Sequence, residues 1–186
     1  MLYISKGTVY KMSGINNIDV SRCGNECNLC GIQAKLWLAG RFNVAFVKNT
    51  ANQSELQKLE SMGLVEITEP DDTADYRLLT NCVICSVNPV LPYYPLNKNE
   101  KLIWKWIKNT EFKLTISELV YLMEQNIIPD PIFFAKNNWH TLIHTIYTGE
   151  TIFDRILETK MEQSPARDGT VSAVLGLLRK KHIILL

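Results

Sequence analysis

The sequence of 186 residues lacks a long hydrophobic run and lacks an excess of charge of either sign. No stretch approaches the roughly 20 apolar residues that a membrane-spanning helix needs, and residues 1–10 show none of the features of a signal peptide. Lysine and arginine number 20 against 19 aspartates and glutamates, so attraction to nucleic acid would depend on local patches. These absences predict a cytoplasmic protein without a membrane partner.

Signatures of catalysis are also missing. Serine, aspartate and histidine occur at no spacing that specifies a triad, and no glycine-rich loop would cradle a phosphate. His140 and His144 lie four residues apart on a predicted helix and could face one metal ion, but their apolar neighbours favour core or boundary side chains over metal ligands. We therefore expect a non-catalytic protein.

Cysteine is scarce, yet four of the five cysteines form two CxxC pairs, Cys27 with Cys30 and Cys82 with Cys85. Two residues between thiols allow one tight turn to offer both sulfurs to one metal ion. The pairs predict a structural zinc site made of these four thiolates, although 51 residues separate Cys30 from Cys82. Buried thiols and a redox or iron–sulfur role stay open as alternatives.

A proline-rich stretch at residues 89–97 divides the chain into two halves. In the first half, short apolar runs predict strands, of which the first two form a hairpin, at residues 2–4, 8–10, 44–47, 64–67 and 76–79. Between them we expect one short helix from Ile32 to Gly40. A second begins at Thr50, with Gln53 completing a capping box, and ends near Gly63.

The second half is predicted to be mostly helical. Asn97 with Glu100 and Thr115 with Glu118 each have the spacing of a capping box, so a helix should follow each pair. Further helices are expected near residues 137–148, 151–161 and 170–181, and residues 182–186 read as a final strand.

The passage LQKLESMGLVEI at residues 56–67 joins a predicted helix directly to an apolar strand, and LGLLRKKHII at 175–184 is a weaker version of it. This pattern resembles the passage from the last helix into the first wing strand of winged-helix domains. The resemblance implies an α+β fold of two small winged-helix-like domains in tandem, residues 1–88 and 98–186, joined by the linker 89–97. One departure is plain, because only one helix fits between the strands at 44–47 and 64–67, where winged helices have two.

Two groups of basic residues are candidates for contacting DNA. One is a helical stripe of four lysines, Lys98, Lys101, Lys105 and Lys108. The other surrounds the last predicted helix and comprises Arg167, Arg179, Lys180 and Lys181. A lysine stripe of the first kind is more often a solvated helix face, and charges of the second kind often only complement a helix dipole.

The first half carries acidic residues where a wing would lie, at Glu69, Asp71, Asp72 and Asp75. DNA phosphates would repel them, so we expect this half to bind a protein partner or a second copy of the chain. The resulting hypothesis is a DNA-binding regulator that acts through its C-terminal half. The alternative is a protein- or peptide-binding module of a larger assembly that does not bind DNA.

Overall fold

The computed structural model describes residues 1–87, 94–110, 113–135, 139–148 and 153–186. The protein is α+β and has two compact units, one formed by Met1–Cys82 with Ile184–Leu186 and the other by Val83–Ile183. Most of the predicted linker, residues 89–93, lies outside the described residues. Within the described part of the chain, every helix is too short or too polar to cross a bilayer.

The first unit contains two three-stranded antiparallel sheets. One has the order β5 (Ala45–Phe46), β1 (Leu2–Ser5), β6 (Val65–Thr68), and the other is the meander β2 (Thr8–Met12), β3 (Asn17–Arg22), β4 (Asn25–Cys30). The hairpin predicted between the first two strands is wrong, because β1 pairs with β5 and β6 while β2 pairs with β3. Gly7, whose φ of 106° favours glycine, lies where the chain passes from one sheet to the other.

Three helices complete the first unit: α1 (Ile32–Gly40), α2 (Thr50–Ser61) and α3 (Ala74–Thr80). The first two confirm the predicted helices, although Asn49 rather than Thr50 caps α2, by accepting a hydrogen bond from the Ala51 N–H at 2.8 Å. Gly63, with φ 72°, follows the end of α2 as predicted. The core packs Trp37 against side chains of both sheets and of α2, among them Ile18, Val20, Leu29, Leu56 and Leu59.

The strand predicted at residues 76–79 is wrong, since this segment forms α3. Its buried residues are Ala74, Tyr76, Leu78 and Leu79, and Ala74 with Leu78 and Tyr76 with Leu79 each lie about one helical turn apart. Local hydrogen bonds favour the helix. The Asp71 carboxylate accepts from the Thr73 N–H at 2.8 Å, and the Arg77 N–H donates to the Thr73 carbonyl at 3.0 Å.

The second unit is mostly helical. Its elements are β7 (Ile84–Ser86), α4 (Lys98–Asn109), α5 (Ile116–Glu124), a short 3-10 turn (Pro131–Phe133), α6 (Trp139–Ile146), α7 (Asp154–Glu162) and α8 (Arg167–Arg179). The last strand, β8 (Ile183–Leu185), begins in this unit and ends in the first. Both predicted capping boxes are confirmed, Asn97 with Glu100 on α4 and Thr115 with Glu118 on α5.

α8 is the central helix of the second unit. α4 and α5 both pack against it, and its side chains are buried from Thr170 to Leu178 except for Ser172. The core contributed by α4 consists of Ile103, Trp106 and Ile107, which share one face of that helix. The opposite face of α4 is therefore the one left for solvent.

Candidate nucleic-acid interface

The four lysines predicted as a stripe lie on the exposed face of α4. Lys98, Lys101, Lys105 and Lys108 are all exposed, whereas Glu100, the one acidic residue of the helix, is buried on the other side. From Lys98 to Lys108 the helix rises about 15 Å. Successive phosphates of one DNA strand are about 3.4 Å apart along the duplex axis, so this row of charges matches the length of several phosphates.

The lysine face, as we call these four residues, concentrates positive charge on one side of α4. Among the described residues none of the four has a carboxylate partner within ion-pair distance. Lys108 instead places its ammonium over the Trp104 ring, 4.8 Å from the ring centroid. The face therefore presents four positive charges with an aromatic ring at its border.

Glu100 anchors the start of α4 from the buried side. Its carboxylate accepts hydrogen bonds from the Asn97 N–H at 2.7 Å and from the Lys180 ammonium at 2.6 Å. Burial alone would raise the pKa of Glu100, but these two donors outweigh it and lower the pKa. Lys180 also donates to the Pro95 carbonyl at 2.9 Å. Lys180 thus holds the segment before α4 against the helix.

A cavity of about 510 Å³ opens beside the lysine face. Pro95, Leu96 and Trp104 form its apolar walls, and Lys101 and Lys105 line it as well. Trp104 also borders a second cavity of about 280 Å³ that is lined by Ser86, Val87 and Lys108. Neither cavity can be inferred from the sequence of one helix alone.

The second basic group is mostly engaged within the protein. Arg167 donates to the Glu162 carbonyl and to Asp168, both at 2.7 Å, and the Lys180 side chain is only 27% exposed because of its contacts with Glu100 and Pro95. Arg179 and Lys181 are exposed beyond the buried part of α8. A helix buried along most of its length offers few side chains to a DNA groove, so the lysine face of α4 is the larger basic surface.

The cysteines of the first CxxC pair lie on a strand rather than in a tight turn. Cys27 and Cys30 belong to β4, where side chains three residues apart point to opposite faces of the sheet. Cys30 is exposed, Cys27 is half-buried, and Cys23 is exposed in the turn between β3 and β4. This local geometry does not itself bring the two sulfurs together.

The second pair is buried, with Cys82 following α3 and Cys85 on β7. Burial raises the pKa of Cys82 to about 12, and its protonated thiol donates to the Leu78 carbonyl at 3.1 Å. Over the part of the chain that the structure describes, no three histidine, cysteine or acidic side chains form a group that could hold a metal ion. His140 and His144 are both exposed on α6.

The four acidic residues predicted at a wing lie around the start of α3. Glu69, Asp71 and Asp72 are exposed, and Asp75 is half-buried in the first turn of the helix. Asp71 pairs with Arg77 at 2.6 Å, and the hydrogen bond from Arg77 lowers the pKa of Asp71 to about 2. A phosphate backbone would meet ionised carboxylates here.

One cluster of polar side chains was not found from the sequence. The Tyr147 hydroxyl lies 3.0 Å from the Glu118 carboxylate and 2.7 Å from that of Asp154. Glu118 is 5% exposed, and burial raises its pKa. The capping box identified Glu118, but its contact with Tyr147 spans 29 residues and has no local signal.

Comparison of the chain with protein-family models, with curated proteins and with solved structures found no match.

Proposed function

We propose that this chain is a non-catalytic DNA-binding regulator that contacts duplex phosphates through the lysine face of α4. The supporting observation is the row of four exposed lysines, none of which has a carboxylate partner among the described residues. Opposite charge along about 15 Å of helix provides sequence-independent affinity. The proposal still assigns DNA binding to the C-terminal half, but α4 rather than α8 makes the main contact.

The winged-helix architecture is part of this proposal. Its support is the passage from α2 through Gly63 into β6, and the similar passage from α8 into β8. A single helix, α2, lies between β5 and β6, and α3 stands where a second wing strand was predicted. The proposal therefore depends on the lysine face and not on a recognition helix.

The salt dependence of DNA binding tests the proposed function. We expect affinity for a duplex of mixed sequence to fall steeply as salt rises, with the slope of log K against log salt reduced by about 0.9 for each phosphate-contacting lysine replaced by glutamine. The test variant replaces Lys98, Lys101, Lys105 and Lys108. The control replaces four other exposed lysines, Lys11, Lys35, Lys48 and Lys160.

Because both variants lose the same charge, only a contact at α4 separates them. A slope that decreases in the test variant alone supports the proposal. Absence of binding at low salt, or equal decreases in both variants, would overturn it.

A second candidate function is a protein- or peptide-binding module that uses the first unit. β2 forms one edge of its sheet, and apolar side chains there and in the following turn are exposed, with Tyr10 and Met12 at 53% and Ile15 at 65%. If two copies associate through this edge, the double variant Met12→Lys, Ile15→Lys should sediment as a monomer. A wild-type chain that is monomeric at every concentration would exclude the homodimer.

The structural zinc ion also stays a proposal, with Cys27, Cys30, Cys82 and Cys85 as its ligands. Its support is the paired CxxC spacing. Binding would require the Cys82 thiol to lose the proton that it donates to Leu78. Elemental analysis of protein purified without chelator tests it, and less than about a tenth of an equivalent of zinc would overturn it.

A further inference from the structure

The cavity beside α4 combines apolar walls with two lysine side chains. Leu96 is buried, Pro95 and the Trp104 indole complete the apolar walls, and no acidic residue is among the described side chains that line it. A volume of about 510 Å³ lies within the usual range of small-molecule sites. We propose that this cavity binds a planar aromatic ring that carries a negative charge, as in a nucleotide or an aromatic carboxylic acid.

The aromatic part of the ligand is inferred from the walls. An indole, a proline ring and a leucine side chain favour a flat apolar group over a hydrated one. Aromatic rings stack on tryptophan with little dependence on their substituents, as bases do in nucleic-acid-binding proteins. Trp104 is half-buried at the helix border, so one part of its ring contacts the protein while another part lines the cavity.

The negative charge is inferred from Lys101 and Lys105. They line the cavity one helical turn apart and are exposed, and neither pairs with a carboxylate among the described residues. An anion attached to the bound ring would therefore meet two ammonium groups. A cationic ring would be repelled by both ammonium groups, and a neutral ring would form no ion pair with them.

The wall formed by Pro95 and Leu96 is held in place before any ligand arrives. Lys180 donates to the Pro95 carbonyl at 2.9 Å and to Glu100 at 2.6 Å, and Glu100 accepts from the Asn97 N–H at 2.7 Å. These bonds fix the segment on both sides of Leu96 to α4 and α8. A site ordered in advance loses less conformational freedom on binding.

Lys101 and Lys105 also belong to the lysine face, so the ligand and a duplex compete for the same charges. This competition rests on the proposed function, whereas binding of the small ligand does not. The cavity would then give the protein a soluble effector that releases it from DNA.

Calorimetric titration of the full chain tests the site, with adenosine monophosphate and indole-3-acetate as the two aromatic anions. We expect at least one of them to bind. Inorganic phosphate has the negative charge without the ring and adenosine has the ring without the charge, so each should bind at least about tenfold more weakly. Binding of the nucleotide alone identifies a nucleotide site, and binding of indole-3-acetate alone identifies a carboxylate site. Failure of both anions, or equal affinity for adenosine, would overturn the proposal.

A pair of variants locates the binding. Lys101→Gln with Lys105→Gln should reduce affinity for the aromatic anion about tenfold, because two exposed ion pairs are lost. The control, Lys35→Gln with Lys160→Gln, removes the same charge at two exposed lysines outside both the cavity and the lysine face and should leave affinity unchanged. Equal losses in the two variants would place the ligand elsewhere and overturn the proposal.

Duplex binding is measured on the same variants, so that the two proposals can fail separately. A chain that binds an aromatic anion through Lys101 and Lys105 but binds no duplex supports the cavity site and overturns the proposed function. A chain that binds duplex but neither aromatic anion supports the proposed function and overturns the cavity site.

Discussion

The Tyr147 hydroxyl lies between the carboxyl groups of Glu118 and Asp154, and the number of protons on these three groups determines which hydrogen bonds can form. The hydroxyl can donate to only one of them, at 2.7 Å to Asp154 or 3.0 Å to Glu118. The second contact becomes a hydrogen bond only if a carboxyl group supplies another proton. Burial raises the pKa of Glu118, so Glu118 is the carboxyl group that we expect to hold that proton. The folded second unit therefore holds a proton more tightly than the unfolded chain does.

This proton makes stability depend on pH in a defined direction. Unfolded Glu118 has an ordinary pKa near 4.3, and its folded pKa is higher. Between these two values the folded state binds more protons, so the free energy of unfolding falls as pH rises through the window. Above the raised pKa, the ionised and buried Glu118 reduces stability.

Replacing Glu118 with glutamine should remove this dependence. The amide oxygen can still accept from Thr115, and the amide N–H₂ can donate to Tyr147, which then donates to Asp154. We expect Glu118→Gln to be more stable than the wild type near pH 7, by about 1 kcal/mol for one buried hydrogen bond. The difference should disappear near pH 4, where Glu118 is itself protonated.

Urea unfolding at these two pH values measures the effect, and Glu60→Gln, at an exposed position of α2, is the control. If Glu118→Gln is instead the less stable protein near pH 7, the buried carboxylate is required in its charged form and the proton assignment fails.

At the scale of elements, the contact between α4 and α8 determines where the lysine face lies. Gly176 of α8 packs directly against the Glu100 carboxylate of α4, and a methyl group at this position would overlap the Glu100 Oε1 atom. Glu100 is also the acceptor for Lys180 and for the N-cap residue Asn97. The small size of residue 176 thus permits a close helix contact at a carboxylate that accepts two hydrogen bonds.

Gly176→Ala should destabilise the protein by about 1–3 kcal/mol, since overpacking displaces Glu100. Alanine is the better helix former by about 1 kcal/mol, so propensity alone predicts the opposite sign. Gly169→Ala on the same helix is the matched control, because nothing lies within 4 Å of the added methyl. We expect this control to be neutral or slightly stabilising in thermal unfolding. Equal effects of the two substitutions would show that the α4–α8 contact tolerates a larger residue.

Elements specified by neighbouring residues were predicted well from the sequence. The capping boxes at Asn97 and Thr115 are formed as expected, and every partner lies within three residues. The third predicted box, Thr50 with Gln53, failed because Asn49, one residue earlier, caps α2.

The hairpin of the first two strands failed because the partners of β1 come from residues about 40 and 60 positions away. The segment at residues 76–79 failed because a short apolar run fits a strand and a short helix equally, and Tyr76, Leu78 and Leu79 are all buried in α3.

The candidate interface likewise has one part that the sequence predicted and one part that it did not. The four lysines were found because they share one face of one helix, and helical spacing is visible in the sequence. The cavity beside them was not found, because its wall at Pro95 is fixed by Lys180, which is 85 residues away. The sequence therefore identified the charges of the site but not the shape of its binding surface.

At the scale of the whole molecule, the two compact units are not simply consecutive. The first unit takes residues 1–82 together with Ile184–Leu186 from the other end of the chain. The link is specific, because the Gly7 N–H donates to the Leu185 carbonyl at 2.7 Å. Leu185 is also buried, with 2% of its surface exposed. The second unit has its own core, built on α4, α5 and α8.

Two kinds of fragment test this organisation. Residues 83–183 should fold alone as a helical unit with a cooperative thermal transition, since they contain a complete core. Residues 1–82 lack the acceptor for Gly7 and the buried Leu185 side chain, so joining Ile184–Leu186 to them through a flexible linker should add about 2 kcal/mol of stability. The same fragment with the linker alone is the control. Equal stability with and without the three residues would mean that the first unit is complete at Cys82, and an unfolded 83–183 fragment would mean that the second unit depends on the first.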